Sequence, residues 1–266
     1  MSDAETLTRG PRAYASFIVI GLVAGLLSGL FGVGGGTVIV PLLVLFLHFN
    51  QRLGAGTSLA AIVPTATVGV ISYAIHGSVA WIPALILAAG SVVGAQIGTR
   101  LLPKISQTTL RWFFVGFLAV VIVSLFLVIP SRDAVFELTL LSGIALVAVG
   151  VATGILSGLI GVGGGIVVVP VLMLAFGTSD LVAKGTSMLM MIPTAISGTI
   201  GNLRNQNVDV VAAAFVGISA CTTTALGAWL ATVIDPMAAN MLFAAYLVVI
   251  AVQMAMKAIK GRRKKD

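Results

Sequence analysis

The stretch SGLFGVGGGT, residues 28–37, lies inside an apolar run and returns as SGLIGVGGGI at residues 157–166. Each copy places glycines where a continuous helix would otherwise pass. The chemistry this permits is anion binding by the main chain. Glycine adopts positive φ and lets another group approach the backbone closely. A helix that starts at Thr37 or Ile166 opens with N–H groups lacking intrahelical acceptors and carries about half a positive charge at that end. Such an end attracts anions. Two of them, meeting near the bilayer midplane, form an anion site without an intramembrane arginine. The expected contacts are Gly34, Gly35, Gly36 and Thr37 in the first copy and Gly163, Gly164 and Gly165 in the second. Tight helix packing is the competing explanation. It suits Gly21, Gly25 and Gly29, Gly90, Gly94 and Gly98, and Gly150, Gly154 and Gly158, which recur at every fourth position. Consecutive glycines form no such stripe.

Further donors follow each glycine run. Thr57 and Ser58 match Thr186 and Ser187, and Pro64-Thr65 matches Pro193-Thr194. A hydroxyl donates to a substrate oxygen, and a proline frees a carbonyl one turn earlier. The same hydroxyls equally serve to bond their own helix or a neighbour. Asn202, Asn205, Gln206 and Asn207 cluster near the end of the matching helix, opposite Tyr73 and His76 in the first half. They line an entrance or cap a loop. His48 and His76 stand near block ends, as interfacial histidines or as proton carriers. Glu137, Asp209, Asp235, Arg204 and Lys184 fall at or beside block ends, leaving the interiors without Asp, Glu, Lys or Arg. That argues against a carboxylate proton relay. HExxH, GxSxG and Walker sequences are absent, and the glycine run fails the dinucleotide fingerprint because Thr37 stands where a glycine is needed. The expectation is a protein that is not an enzyme and has no cofactor or metal. Cys221 is the sole cysteine, which excludes an internal disulfide.

The elements that must position these residues are membrane helices. Hydrophobic residues make up 59% of the 266, charged residues 9%, and mean hydropathy is +1.15. Soluble domains carry about 25% charged residues. Runs such as Thr109 to Ile129 and Ala238 to Met256 approach the roughly 20 residues that cross a bilayer. The net charge of +7 reflects a basic tail (Lys257, Lys260, Arg262, Arg263, Lys264 and Lys265), which suits an anionic membrane surface and not nucleic acid. No removable signal peptide is read at the start.

An internal repeat with an offset of 129 pairs Gly32 with Gly161, Pro41 with Pro170, Thr57 with Thr186 and Pro64 with Pro193, without a gap. Each half reads as four hydrophobic blocks: 14–49, 56–76, 79–102 and 109–129, then 138–178, 185–205, 208–231 and 237–258. The first block of each half is broken at its glycines, as a helical hairpin or as two short spans. Arg100, Lys104 and Arg111 surround one connection, whereas its counterpart holds Asp235 and no Lys or Arg. By the positive-inside rule these loops lie on opposite sides. The expected fold is therefore all-α, with two inverted-topology repeats, each a Gly-interrupted hairpin plus three transmembrane helices. The expected divisions are a cytoplasmic segment 1–13, repeat 14–129, linker 130–137, repeat 138–258 and a cytoplasmic tail 259–266.

The duplicated SGLxGVGGGxxxVP, Ser28 to Pro41 and Ser157 to Pro170, each followed by a TS pair and a PT pair, resembles the TauE/SafE sulfite-exporter family, also called the toluene-sulfonate uptake permeases. The resemblance covers nearly the whole chain. It implies an inner-membrane permease for sulfite, a sulfonate or another small organic anion, with the glycine loops and the TS and PT positions lining the pathway. Direction and substrate are not fixed by it. The expected partners are a small anion and membrane lipid, with a homo-oligomer left open. Lys184, where the first half has Ala55, departs from the repeat and either recruits anions at the outer mouth or pairs with Asp180. An anion channel and a non-transporting scaffold are the competing classes.

Overall fold

A computed structural model describes residues 10–127 and 139–262. Residues 1–9 of the expected leading segment, the linker 130–137 with Glu137, and residues 263–266 of the tail lie outside the described residues. Among the described residues the chain is helical and carries no strand. The first half comprises α1 (Pro11–Phe31), α2 (Gly36–Phe46), α3 (Gln51–Ile75), α4 (Trp81–Leu101) and α5 (Gln107–Leu127). The second comprises α6 (Leu140–Ile160), α7 (Gly165–Phe176), α8 (Asp180–Arg204), α9 (Val210–Val233) and α10 (Pro236–Arg262). Several boundaries have a local cause. Asn50, Ser179 and Asp209 cap α3, α8 and α9 by accepting from backbone amides, and Thr139 with Ser142 closes a capping box on α6. Helices α1 and α6 stop at Gly32 and Gly161, both left-handed.

Six described helices are long and apolar enough to cross a membrane: α1, α3, α4, α6, α9 and α10. The chain is a multi-pass membrane protein. Large apolar side chains such as Leu85, Val120, Ile218 and Leu242 point outward, while Ser28, Thr37, Ser58, Thr65, Thr186 and Ser187 are buried. That distribution places hydrocarbon against lipid and keeps hydroxyls inside protein. α8 is as long as α3 but falls short in hydropathy because its residues serve the interior.

Packing repeats with the same 129-residue offset as the sequence. The stripe Gly21, Gly25 and Gly29 of α1 lies on α9, where an added Cβ would come within 2.4, 2.1 and 2.1 Å of the Val216, Ala220 and Thr224 carbonyls. In α6, Gly150, Gly154 and Gly158 meet the Leu87, Ser91 and Ala95 carbonyls of α4 at 2.3, 2.2 and 2.6 Å. The spaced glycines are therefore packing residues, as their period predicts. At the centre α3 crosses α8. Gly69 of α3 faces the Met188 sulfur, and Gly198 of α8 faces Leu59, so early residues of one helix meet late residues of the other.

The broken block is uneven, as a longer piece before Gly32 and a shorter one from Thr37 to His48 imply: α1 and α6 have 21 residues each, and the returning α2 and α7 have 11 and 12. One expectation needs correction: α3 and α8 begin at Gln51 and Asp180, earlier than the hydrophobic blocks suggest, because polar caps start them. Lys184 consequently sits one turn inside α8 and is 4% exposed, not at a loop.

Candidate functional site

The two glycine turns meet each other. A Cβ on Gly36 would lie 2.6 Å from the Val162 Cα and 2.7 Å from the Gly161 carbonyl, and one on Gly165 would lie 2.8 Å from the Gly32 carbonyl. Gly35 and Gly164 are the N-caps of α2 and α7, at φ +75° and +89°, with no side chain capping either helix. A residue with a Cβ is strained at such φ. The structure thus brings Gly34, Gly35, Gly36, Gly163, Gly164 and Gly165 together and sets two uncapped helix starts side by side. Ile62 and Met191, themselves 129 positions apart, flank both Gly34 and Gly163. These side chains close the space between the turns.

The hydroxyls divide into two groups. In the first, each hydroxyl has a protein partner. Thr57 accepts from the Asp209 amide and Thr186 from the Ala80 amide, both at 3.0 Å, so each holds the start of a neighbouring helix. Thr65 donates to the Ala61 carbonyl at 2.8 Å and Thr194 to the Met190 carbonyl at 2.7 Å, with Ser91 beside Thr194. Ser187 lies 2.6 Å from the Gly32 carbonyl and so fastens the first turn to α8. In the second group, Ser28, Thr37, Ser58 and Ser157 are fully or almost fully buried, and their oxygens have no hydrogen-bond partner. Buried hydroxyls without partners are rare and call for a ligand or water. Ser28 and Ser157 sit one turn before the glycine breaks, Thr37 is in the first turn of α2, and Ser58 follows Ala55, whose backbone touches Gly161.

Asn202 is buried in α8, with its amide nitrogen on the Gly198 carbonyl at 2.9 Å, its Oδ1 without a partner and its Cβ against Gly56. Tyr73 occupies the matching place in α3 and donates to the Gly29 carbonyl at 2.7 Å. Asn205 bonds the Thr99 carbonyl at 2.9 Å and ends α8, a capping role. Ser28 and Ser157 escaped the sequence-based site. Their signal is visible in the duplicated motif, where both are the first letter, but a serine inside a glycine stripe reads as packing. What the cluster offers is hydrogen-bond donors and positive helix ends, a setting that suits an oxyanion.

The family model described as Sulfite exporter TauE/SafE matches residues 2–125 and 146–266, and the chain belongs to that family. The chain is 30% identical over 197 residues to the probable membrane transporter protein YdhB of Bacillus subtilis, covering 73% of this chain and 80% of that one. A probable membrane transporter protein of Haemophilus influenzae is 28% identical over 259 residues, covering 90% and 97%. Sulfite exporter TauE/SafE family protein 1 of Arabidopsis thaliana is 31% identical over 119 residues, 43% of this chain and 26% of that one. No solved structure matches.

Proposed function

We propose that this protein is a secondary-type permease for a small oxyanion such as sulfite or a sulfonate, bound between the paired glycine turns. The observation that carries the reading is the set of four partnerless buried hydroxyls, Ser28, Thr37, Ser58 and Ser157, around two uncapped helix starts. Thr57, Thr65, Thr186, Thr194, Ser187 and Asn202 are assigned to the lining around that centre, where Thr57, Thr186, Thr194 and Ser187 also link neighbouring elements. The family description and the names of the relatives support the substrate class.

The two halves are read as inverted repeats that exchange access between the two membrane faces. Support comes from the antiparallel crossing of α3 and α8, which are equivalent helices. Arg52 bonds the Pro103 and Ile105 carbonyls and Asn205 bonds Thr99, so Arg52, Arg100, Lys104, Arg111 and Arg204 gather at one end of the bundle. That end is assigned to the cytoplasm by the positive-inside rule, with both termini there and the bacterial or archaeal inner membrane as the location. Ile62 and Met191 across the centre favour a gated transporter over an open channel.

The test is uptake of radiolabelled sulfite by proteoliposomes holding the purified protein. Saturable uptake, competed by sulfonates, is expected. Flux rising linearly with sulfite would make it a channel, and no flux with any sulfur oxyanion would end the permease reading.

A further inference from the structure

Many packing contacts recur in both halves, and among the described buried positions the halves differ in charge at one place. Gln51 and Ala55 in α3 are matched, 129 positions on, by Asp180 and Lys184 in α8. Lys184 Nζ lies 3.2 Å from Asp180 Oδ2, and these are the two buried charged residues among those described, at 4% and 2% exposure. The pair is not needed to pack the helix. Ala55 presses its backbone on Gly161, where a Cβ would lie 2.3 Å from the Ala55 Cα, while Lys184 presses on Gly32 at 2.6 Å. The same seat is filled without charge in the other half. Burying an ion pair is costly, and an apolar or neutral replacement of similar volume is often no less stable. Retaining one here calls for a role other than packing.

Position indicates that role. Cα, Cβ and Cγ of Lys184 all lie against Gly32, at the end of the turn that leads into α2, and Ser187 fastens the same turn. The flexible stem of Lys184 thus lies against the turn that joins Ser28, a partnerless hydroxyl, to the uncapped start of α2. We propose that Lys184 is a specificity-determining contact for the transported anion, with Asp180 as its counter-ion whenever the site holds no substrate. The anion takes up the ammonium as it passes the first turn, and Asp180 reclaims it afterwards. Substrate binding is thereby balanced against an internal carboxylate, which keeps release fast. The site is charged on one face and neutral, at Gln51 and Ala55, on the other. This assignment rests on the permease reading.

The experiment measures sulfite uptake by proteoliposomes for the native protein, for D180Q/K184A and for D180N. The double variant installs what the first half already carries, so its thermal midpoint is expected to match the native one. Its KM for sulfite is expected to rise roughly tenfold or more, the loss of one charge-assisted hydrogen bond. D180N leaves the ammonium without its counter-ion, so KM is expected to fall and kcat to fall with it as release slows. A purely structural pair would lower thermal stability and leave KM in place. Native KM in the folded double variant overturns the proposal. Should the double variant not fold, an unchanged or higher KM in D180N overturns it. Absence of uptake by the native protein removes the permease reading itself, and this assignment with it.

Discussion

Ser58 and Ser187 occupy equivalent positions in the two halves yet have different surroundings. Ser187 holds the Gly32 carbonyl at 2.6 Å, whereas Ser58 has no partner. Removing a donor from a buried carbonyl costs about 1–3 kcal/mol, whereas removing a hydroxyl that bonds nothing costs little. Ser187→Ala is therefore expected to lower the unfolding midpoint in detergent, and Ser58→Ala to leave stability within about 0.5 kcal/mol. Equal losses in thermal melts would contradict the division of the hydroxyls into engaged and partnerless groups. The TS pairs were legible in sequence as paired polar positions. Which of them is already engaged was not, because Thr57 and Thr186 are held by amides more than a hundred residues away. Lys184 shows the same limit. Its pairing with Asp180 was one of two open readings, and its burial follows from a helix that starts earlier than its hydrophobic block.

Among the elements, the glycine-striped helices are fixed by backbone-to-backbone approach, and the broken ones by their turns. A side chain at Gly29 would drive into the Thr224 carbonyl at 2.1 Å, whereas Gly116 in α5 has nothing within 4 Å. Gly29→Leu is expected to cost about 3 kcal/mol by forcing α1 off α9. Gly116→Ala is expected to be neutral or to gain up to about 1 kcal/mol of helix propensity. Thermal unfolding of both variants in one detergent checks the contrast, and a tolerated Gly29→Leu would mean that α1 and α9 do not pack so closely. The period of four predicted the packing stripes correctly because small residues on one face have one main use in a membrane helix. The break itself was also legible, and α2 and α7 start one residue before Thr37 and Ile166. The unequal lengths of the two pieces follow from where the glycines fall, which leaves a longer apolar piece before Gly32 than after Gly36.

For the whole molecule, the duplication is the feature that sequence reveals most completely. The offset of 129 that pairs Gly32 with Gly161 in the chain also pairs their neighbours in space, Lys184 and Ala55. In the proposed inverted arrangement, access is exchanged by rocking one half against the other about the central site. What the sequence could not reveal is where the halves touch, since reciprocal contacts such as Gly36 on Gly161 and Gly165 on Gly32 arise only when both are folded together. The central claim is that this meeting point binds an oxyanion. Its most direct measurement is the thermal stabilisation of the purified protein by sulfite, compared with the variant carrying both Ser28→Ala and Ser157→Ala. Sulfite at 100 times its dissociation constant should add about 2.7 kcal/mol to the native protein. The variant should melt like the native protein without sulfite and gain little when sulfite is added. Equal stabilisation of the two proteins, or none of either, would contradict the account.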